Sequence, residues 1–171
     1  MESRVQRVEV PPTIAAERPY DYASAFALTL AVSPGRSTPS TRTAPRTAEQ
    51  WARAVFEGAP AALRWFIVFG WRFVLGLRLD PDSAADRVLG WTVEATASAP
   101  DTVTLAAASR FLRAENIVAV DEEVVVWVTV VRYESRAARP LWAVAAAIHH
   151  RTIPFLLGHA ARAAALDAVP S

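Results

Sequence analysis

The residues best suited to chemistry are three histidines, His149, His150 and His159, all within "LWAVAAAIHHRTIPFLLGHAARAA" from Leu141 to Ala164. Imidazoles can ligate a metal or pass protons near neutral pH. On a helix each residue turns about 100° and rises about 1.5 Å. His150 and His159 would then point to opposite sides, and His149 and His159 would stand about 15 Å apart along the axis. Zinc needs each ligand nitrogen at about 2.1 Å, which helical histidine pairs achieve at spacings of about three or four. Those spacings are absent, so no metal site is expected, with Pro154 the residue able to bend the chain. Hydrogen-bonded or partly exposed histidines are the expected state, and an acid–base role is left to single residues.

Other chemical signatures are missing too. There is no G-x-S-x-G elbow, no Gly-rich phosphate loop and no H-E-x-x-H, so no catalytic residue is assigned and no cofactor is implied. Asp80, Asp82 and Asp86 have the start of a calcium-loop spacing, but Ala85 takes the glycine position and Trp91 that of the closing glutamate, which leaves a solvated loop. Asp121, Glu122 and Glu123 sit where a hairpin end is expected, and charge there discourages edge-to-edge pairing. The chain has no cysteine, which removes disulfides and thiolate chemistry and is compatible with a cytoplasmic location.

The elements that position these residues must bury a great deal of apolar surface. Of 171 residues 53% are hydrophobic and only 20% charged. The net charge is +1, and the arginines are scattered from Arg4 to Arg162, so nothing forms a nucleic-acid footprint. "MESRVQRVEVPPTIAAERPY" lacks the continuous apolar run of a secretion signal. "WFIVFGW" (65–71) is bounded by Arg64 and Arg72, short of the roughly 20 apolar residues that span a bilayer; peripheral membrane contact stays open.

Prolines predict a weakly structured segment at 1–19, with room for a short strand at Val5–Val10. A single domain is expected over 20–166, followed by a tail at 167–171. Tyr20–Val32 alternates as a half-buried strand, with Tyr22, Ser24, Phe26, Leu28 and Leu30 on one face. Ser33–Arg46 is a loop of Ser, Thr, Pro and Arg. Thr47 and Gln50 have capping-box spacing for a helix that Gly58 can end. Pro60 can open a second helix, less secure after Gly70 and Gly76. Four strands follow: Arg87–Ser98 with Leu89, Trp91, Val93, Ala95 and Ala97 inward; one around Val103, Leu105 and Ala107; then "FLRAENIVAV" and "EVVVWVTVVRYE". Parity turns Leu112, Ala114, Asn116 and Val118 inward on the third of these, and Trp127, Thr129, Val131 and Tyr133 on the fourth. Five strong strands thus form an antiparallel meander, and a long helix from near Pro140 covers its apolar face.

That order, with "DYASAF", "WRFVLGLRL", "SRFLRAENIVAV" and "HHRTIPFLLGHAAR", resembles an uncharacterised bacterial family, a domain of unknown function, within the START-related helix-grip superfamily also called SRPBCC. The resemblance covers about Tyr20–Ala165. It implies an α+β helix-grip fold whose sheet curls around the C-terminal helix and leaves a cavity for an apolar or amphipathic molecule. The larger superfamily members have about seven strands, against the five strong ones here. No catalytic set comes with the resemblance.

Alanines on the sheet and the covering helix either leave such a cavity or permit close packing of a solid core. The expected lining is Trp91, Asn116, Trp127, Thr129, Tyr133 and His149. Three functions compete: a binding module for an apolar or aromatic small molecule, lipid- or polyketide-like; a cyclase or aromatase using polar groups of the pocket; and an interaction protein, such as a homodimer, meeting its partner through Trp65, Phe69 and Trp71.

Overall fold

Seven strands form one sheet in the computed structural model, which describes residues 4–17, 19–30, 46–80, 86–98, 100–121 and 124–167. They are β1 (Arg4–Val8), β2 (Tyr22–Thr29), β3 (Arg87–Val88), β4 (Trp91–Ser98), β5 (Asp101–Ala108), β6 (Leu112–Val120) and β7 (Val124–Tyr133). The order across the sheet is β1-β2-β7-β6-β5-β4-β3, every pair antiparallel. The helices are α1 (Pro12–Glu17), α2 (Ala48–Phe56), α3 (Ala61–Phe69) and α4 (Ala138–Asp167). A π-helical turn, Gly70–Val74, extends α3. This is the expected α+β helix-grip arrangement, an open curled sheet with the long last helix against it.

The inner faces of sheet and helices meet in one core that includes Leu28, Phe56, Leu105, Leu112, Trp127 and Leu157. Each large apolar side chain buried there contributes about 1.5–3 kcal/mol. α2 begins as expected: Thr47 Oγ1 accepts from the Gln50 N–H at 3.2 Å, and Gln50 Oε1 accepts from the Thr47 N–H at 2.9 Å. Asp101 of β5 adds a further acceptor for the Ala48 N–H at 2.9 Å. Gly58 follows the helix because a Cβ there would lie 2.4 Å from the Ala54 carbonyl oxygen.

Several expectations are corrected. The strand count is seven instead of five, through β1 at one edge and β3 at the other. Ahead of Tyr20, β1 overlaps the short strand for which Val5–Val10 left room, and the segment goes on into a helix, α1, which Pro12 opens where its missing N–H costs nothing. The stretch expected as one strand from Arg87 is broken by a two-residue turn with Leu89 at φ 47° and Gly90 at φ 84°, the backbone of a type I′ hairpin. Leu89 accepts a left-handed conformation that its side chain disfavours by about 1–2 kcal/mol.

Further along, a bulge between Val93 and Ala95 shifts the β4 register. One extra residue reverses side-chain parity, so Thr96 pairs with inward Val103, and Ala95 and Ala97 join the opposite face. Nor is the outer face of β2 wet. Ala25 is buried with Ile117, Val128 and Val130, and Val8, Val10 and Ile14 from the N-terminal segment pack on them. The expected loop Ser33–Arg46 lies outside the described residues except Arg46. So do Asp82, Glu122, Glu123 and the tail beyond Asp167. Among the described residues, no helix is long and apolar enough to cross a membrane.

Candidate functional site

Register places three polar side chains side by side on the inner face: Ser24 of β2 opposes Thr129 of β7, which opposes Asn116 of β6. All three are at most 3% exposed. Buried polar groups need partners. Asn116 Oδ1 accepts from Thr129 Oγ1 at 2.7 Å and from Trp127 Nε1 at 3.1 Å. Ser24 finds its partner on α4, where its Oγ hydrogen-bonds His149 Nε2 at 3.1 Å. On the next residue of α4, His150 Nε2 hydrogen-bonds the Tyr22 hydroxyl.

Between this row and the helices lies a cavity of about 260 Å³. Its floor includes Trp91, Ala114, Asn116 and Thr129. α3 and the π-helical turn supply Phe66, Ile67, Phe69, Trp71 and Val74 to the wall, and α4 supplies Trp142, Ala145, Ile148, His149 and Ile153. Phe66, Phe69, Val74 and Ile148 are each more than 40% exposed, so these residues rim an opening to solvent.

Among the described lining residues His149 is the only ionisable one. Burial pushes its pKa down to about 3, and the neighbouring His150 adds to the shift. With its pKa so far below the usual imidazole range, the ring stays neutral at ordinary pH. His150 is also lowered, mainly by burial and then by Arg7. Burial raises the Tyr22 phenol.

Of the six residues expected around a pocket, the cavity brings together Trp91, Asn116, Thr129 and His149. Trp127 and Tyr133 lie elsewhere. Trp127 is inward as parity requires, but it is fully buried under Phe56, with ring centroids 5.0 Å apart, and reaches the cavity only through its bond to Asn116. Tyr133 is half-buried at the end of β7, its backbone N–H donating to Asp21 at 2.7 Å. Its phenol is raised by burial, with Asp21 adding.

Sequence reasoning misses Ser24 as a site residue, although the alternation places its hydroxyl on the inner face. It also misses Trp142, in the early turns of α4, and it puts Trp71 on the exterior. Trp71 instead packs inward, 5.0 Å from Phe56 and 5.3 Å from Trp91.

His159 stacks on Phe155, away from the other two imidazoles. Among the described residues, no group of three or more His, Asp or Glu side chains could hold a metal. Asp80 and Asp86 both pair with Arg87, at 3.0 and 2.8 Å.

Comparison with protein-family models, curated proteins and solved structures finds no match to this chain. The site therefore stands on its geometry. An open-mouthed apolar chamber with a fixed amide and a neutral imidazole can hold an apolar body and orient one polar group.

Proposed function

We propose that this protein is a binding module for an apolar or aromatic small molecule, lipid- or polyketide-like, held between the sheet and α4. The observation that carries the reading is the cavity itself, about 260 Å³ with an almost wholly apolar wall and the Asn116 amide held in it. Such a chamber favours an apolar guest because the wall and the guest leave water together. Membership of the helix-grip superfamily is part of the same proposal, supported by the α4-against-sheet arrangement. Native mass spectrometry of freshly purified protein tests it: a retained small molecule, lost on denaturation, is the expected result. A bare chain that also shows no saturable binding of apolar compounds overturns the reading.

A second reading has its own observation. Trp65, Phe69 and Phe73 stack in sequence at 5.4 and 4.8 Å between centroids, and Trp65 and Phe73 are 70% and 73% exposed. A contiguous aromatic ladder on the surface suits self-association or peripheral membrane contact. Sedimentation over a hundredfold concentration range tests the self-association, and co-sedimentation with lipid vesicles tests the membrane contact; the binding reading requires neither.

A further inference from the structure

We infer that the cavity takes a neutral molecule whose apolar body ends in a hydrogen-bond acceptor, such as a ketone, aldehyde or ester carbonyl. This inference rests on the binding-module reading and narrows its ligand class.

The orientation of the Asn116 amide is the starting point. An indole N–H can only donate, so the atom facing Trp127 Nε1 at 3.1 Å must be the amide oxygen. Thr129 Oγ1 donates to the same oxygen. The Nδ2 group therefore keeps both hydrogens without a partner among the described residues, on a side chain that is 3% exposed and lines the cavity. Two further lining residues, Trp91 and Trp142, have indole N–H groups that also lack a partner among the described residues, but these atoms are closed off even from water, so the donor that a guest can reach is the Asn116 Nδ2 group. Every unpaired polar group in this set is a donor. A buried donor left unpaired is costly, and a guest that brings an acceptor removes that cost where a hydrocarbon cannot.

Charge settles the kind of acceptor. The described lining contains no arginine, and its single imidazole is neutral. A carboxylate would enter with no cation to pair with, and an unpaired buried charge is far more costly than a buried carbonyl. Size bounds the rest: 260 Å³ is the room of about nine waters in the liquid, so a guest of roughly ten non-hydrogen atoms fits.

Three probes of matched size test this at neutral pH by quenching of tryptophan fluorescence: methyl heptyl ketone, n-decane and nonanoate. The ketone is expected to bind about tenfold more tightly than decane, the worth of one well-made hydrogen bond, and nonanoate more weakly than the ketone. Asn116→Ala, checked for folding by circular dichroism, is expected to lower ketone affinity toward that of decane and to leave decane binding no weaker, whereas Trp142→Phe, which deletes an N–H closed off from the cavity, is expected to keep the ketone preference. Equal binding of ketone and decane, or nonanoate binding most tightly, overturns the acceptor inference and leaves the binding module standing. A ketone preference that survives in Asn116→Ala overturns it as well. If none of the three probes binds, the binding reading falls and this inference with it.

Discussion

Helices α2 and α3 are both nine residues long and separated by four, yet they are held in opposite ways. α2 buries Ala48, Trp51, Ala52, Val55 and Phe56, has a complete capping box, and ties Arg53 to Glu49 and Glu57 at 2.8 and 3.1 Å on its outer side. α3 has no side-chain cap and buries Ile67 alone, although its sequence, "AALRWFIVF", is nearly all apolar. A helix apolar all round belongs in a core. Here its apolar surface is divided between the cavity wall and the exterior instead. α2 serves the fold, and α3 serves the opening.

A π-helical turn ends α3. The Leu75 N–H bonds back to the Gly70 carbonyl at 3.0 Å, five residues away, so the chain carries one residue more than an α-turn would. The extra residue rotates the later side chains by about 100°. Trp71, two residues and about 200° from Phe69, packs on Phe56 and Trp91, while Phe73, four residues beyond Phe69, lies outside on it.

The sharpest way to break the comparison is to truncate a phenylalanine on each helix. Phe56→Ala removes a ring that is 1% exposed and packed on three tryptophans, and is expected to cost about 3–5 kcal/mol in denaturant unfolding. Phe66→Ala removes one that is 48% exposed and is expected to cost under about 1 kcal/mol. Similar losses from the two would show that α3 is as integral as α2.

Acid provides a second separation. The folded protein keeps His149 neutral down to about pH 3, whereas the unfolded chain takes up that proton near 6.5. The unfolded state thus binds more protons throughout that window, and stability falls as pH falls through it, by at most about 1.4 kcal/mol per pH unit. Below the window the loss stops. His149→Gln is expected to flatten this part of the profile; an unchanged slope would place the titrating group elsewhere. Because His149 faces the cavity, hydrogen exchange at the acid end is expected to open α3 before α2.

Much of α2 is legible in the sequence because its signals are local. Thr47 and Gln50 carry the box within four residues, and Gly58 marks its end. The inward parity of Asn116, Thr129 and Trp127 is legible for the same reason, since β6 and β7 pair without a break. β4 departs from its alternation beyond Val93 because a bulge is one added residue that alternation cannot reveal, and the Leu89–Gly90 turn is hidden by a leucine in a conformation it rarely adopts. Trp71 is misplaced by taking the apolar run at 65–71 as one exposed surface, although two residues of helix turn about 200° and put Trp71 on the side opposite Phe69. Trp127 and Tyr133 lie on strands whose parity gives a side, and only tertiary packing decides which inward residues border empty space.

A smaller effect tests the start of α2. Thr47→Ala removes half of the capping box and is expected to cost about 1 kcal/mol. Asp101 keeps its contact to the Ala48 N–H, so one donor of the first turn stays satisfied. Replacing Pro60, at the corresponding position of α3, by Ala removes no side-chain hydrogen bond and is expected to change stability less. A larger loss from the proline variant would mean that α3 depends on its rigid start more than α2 depends on its cap.

The smallest expected effect is the most discriminating for α3. Trp65 is 70% exposed and contacts Phe69 across the outer ladder, so Trp65→Ser removes little buried area and is expected to shift stability by no more than about 0.5 kcal/mol. It is expected to leave methyl heptyl ketone binding unchanged, because Trp65 does not line the cavity, while Phe69→Ser, at the rim, weakens it. The unfolding midpoint and the ketone titration then move independently, as two separate roles for one helix require. If Trp65→Ser lowers both together, the outer ladder holds the wall in place and α3 behaves as a single packed unit like α2. If instead Trp65→Ser raises solubility at high concentration and alters neither, the ladder is a contact surface in its own right, and sedimentation across the hundredfold concentration range is expected to show the wild-type association disappearing with it.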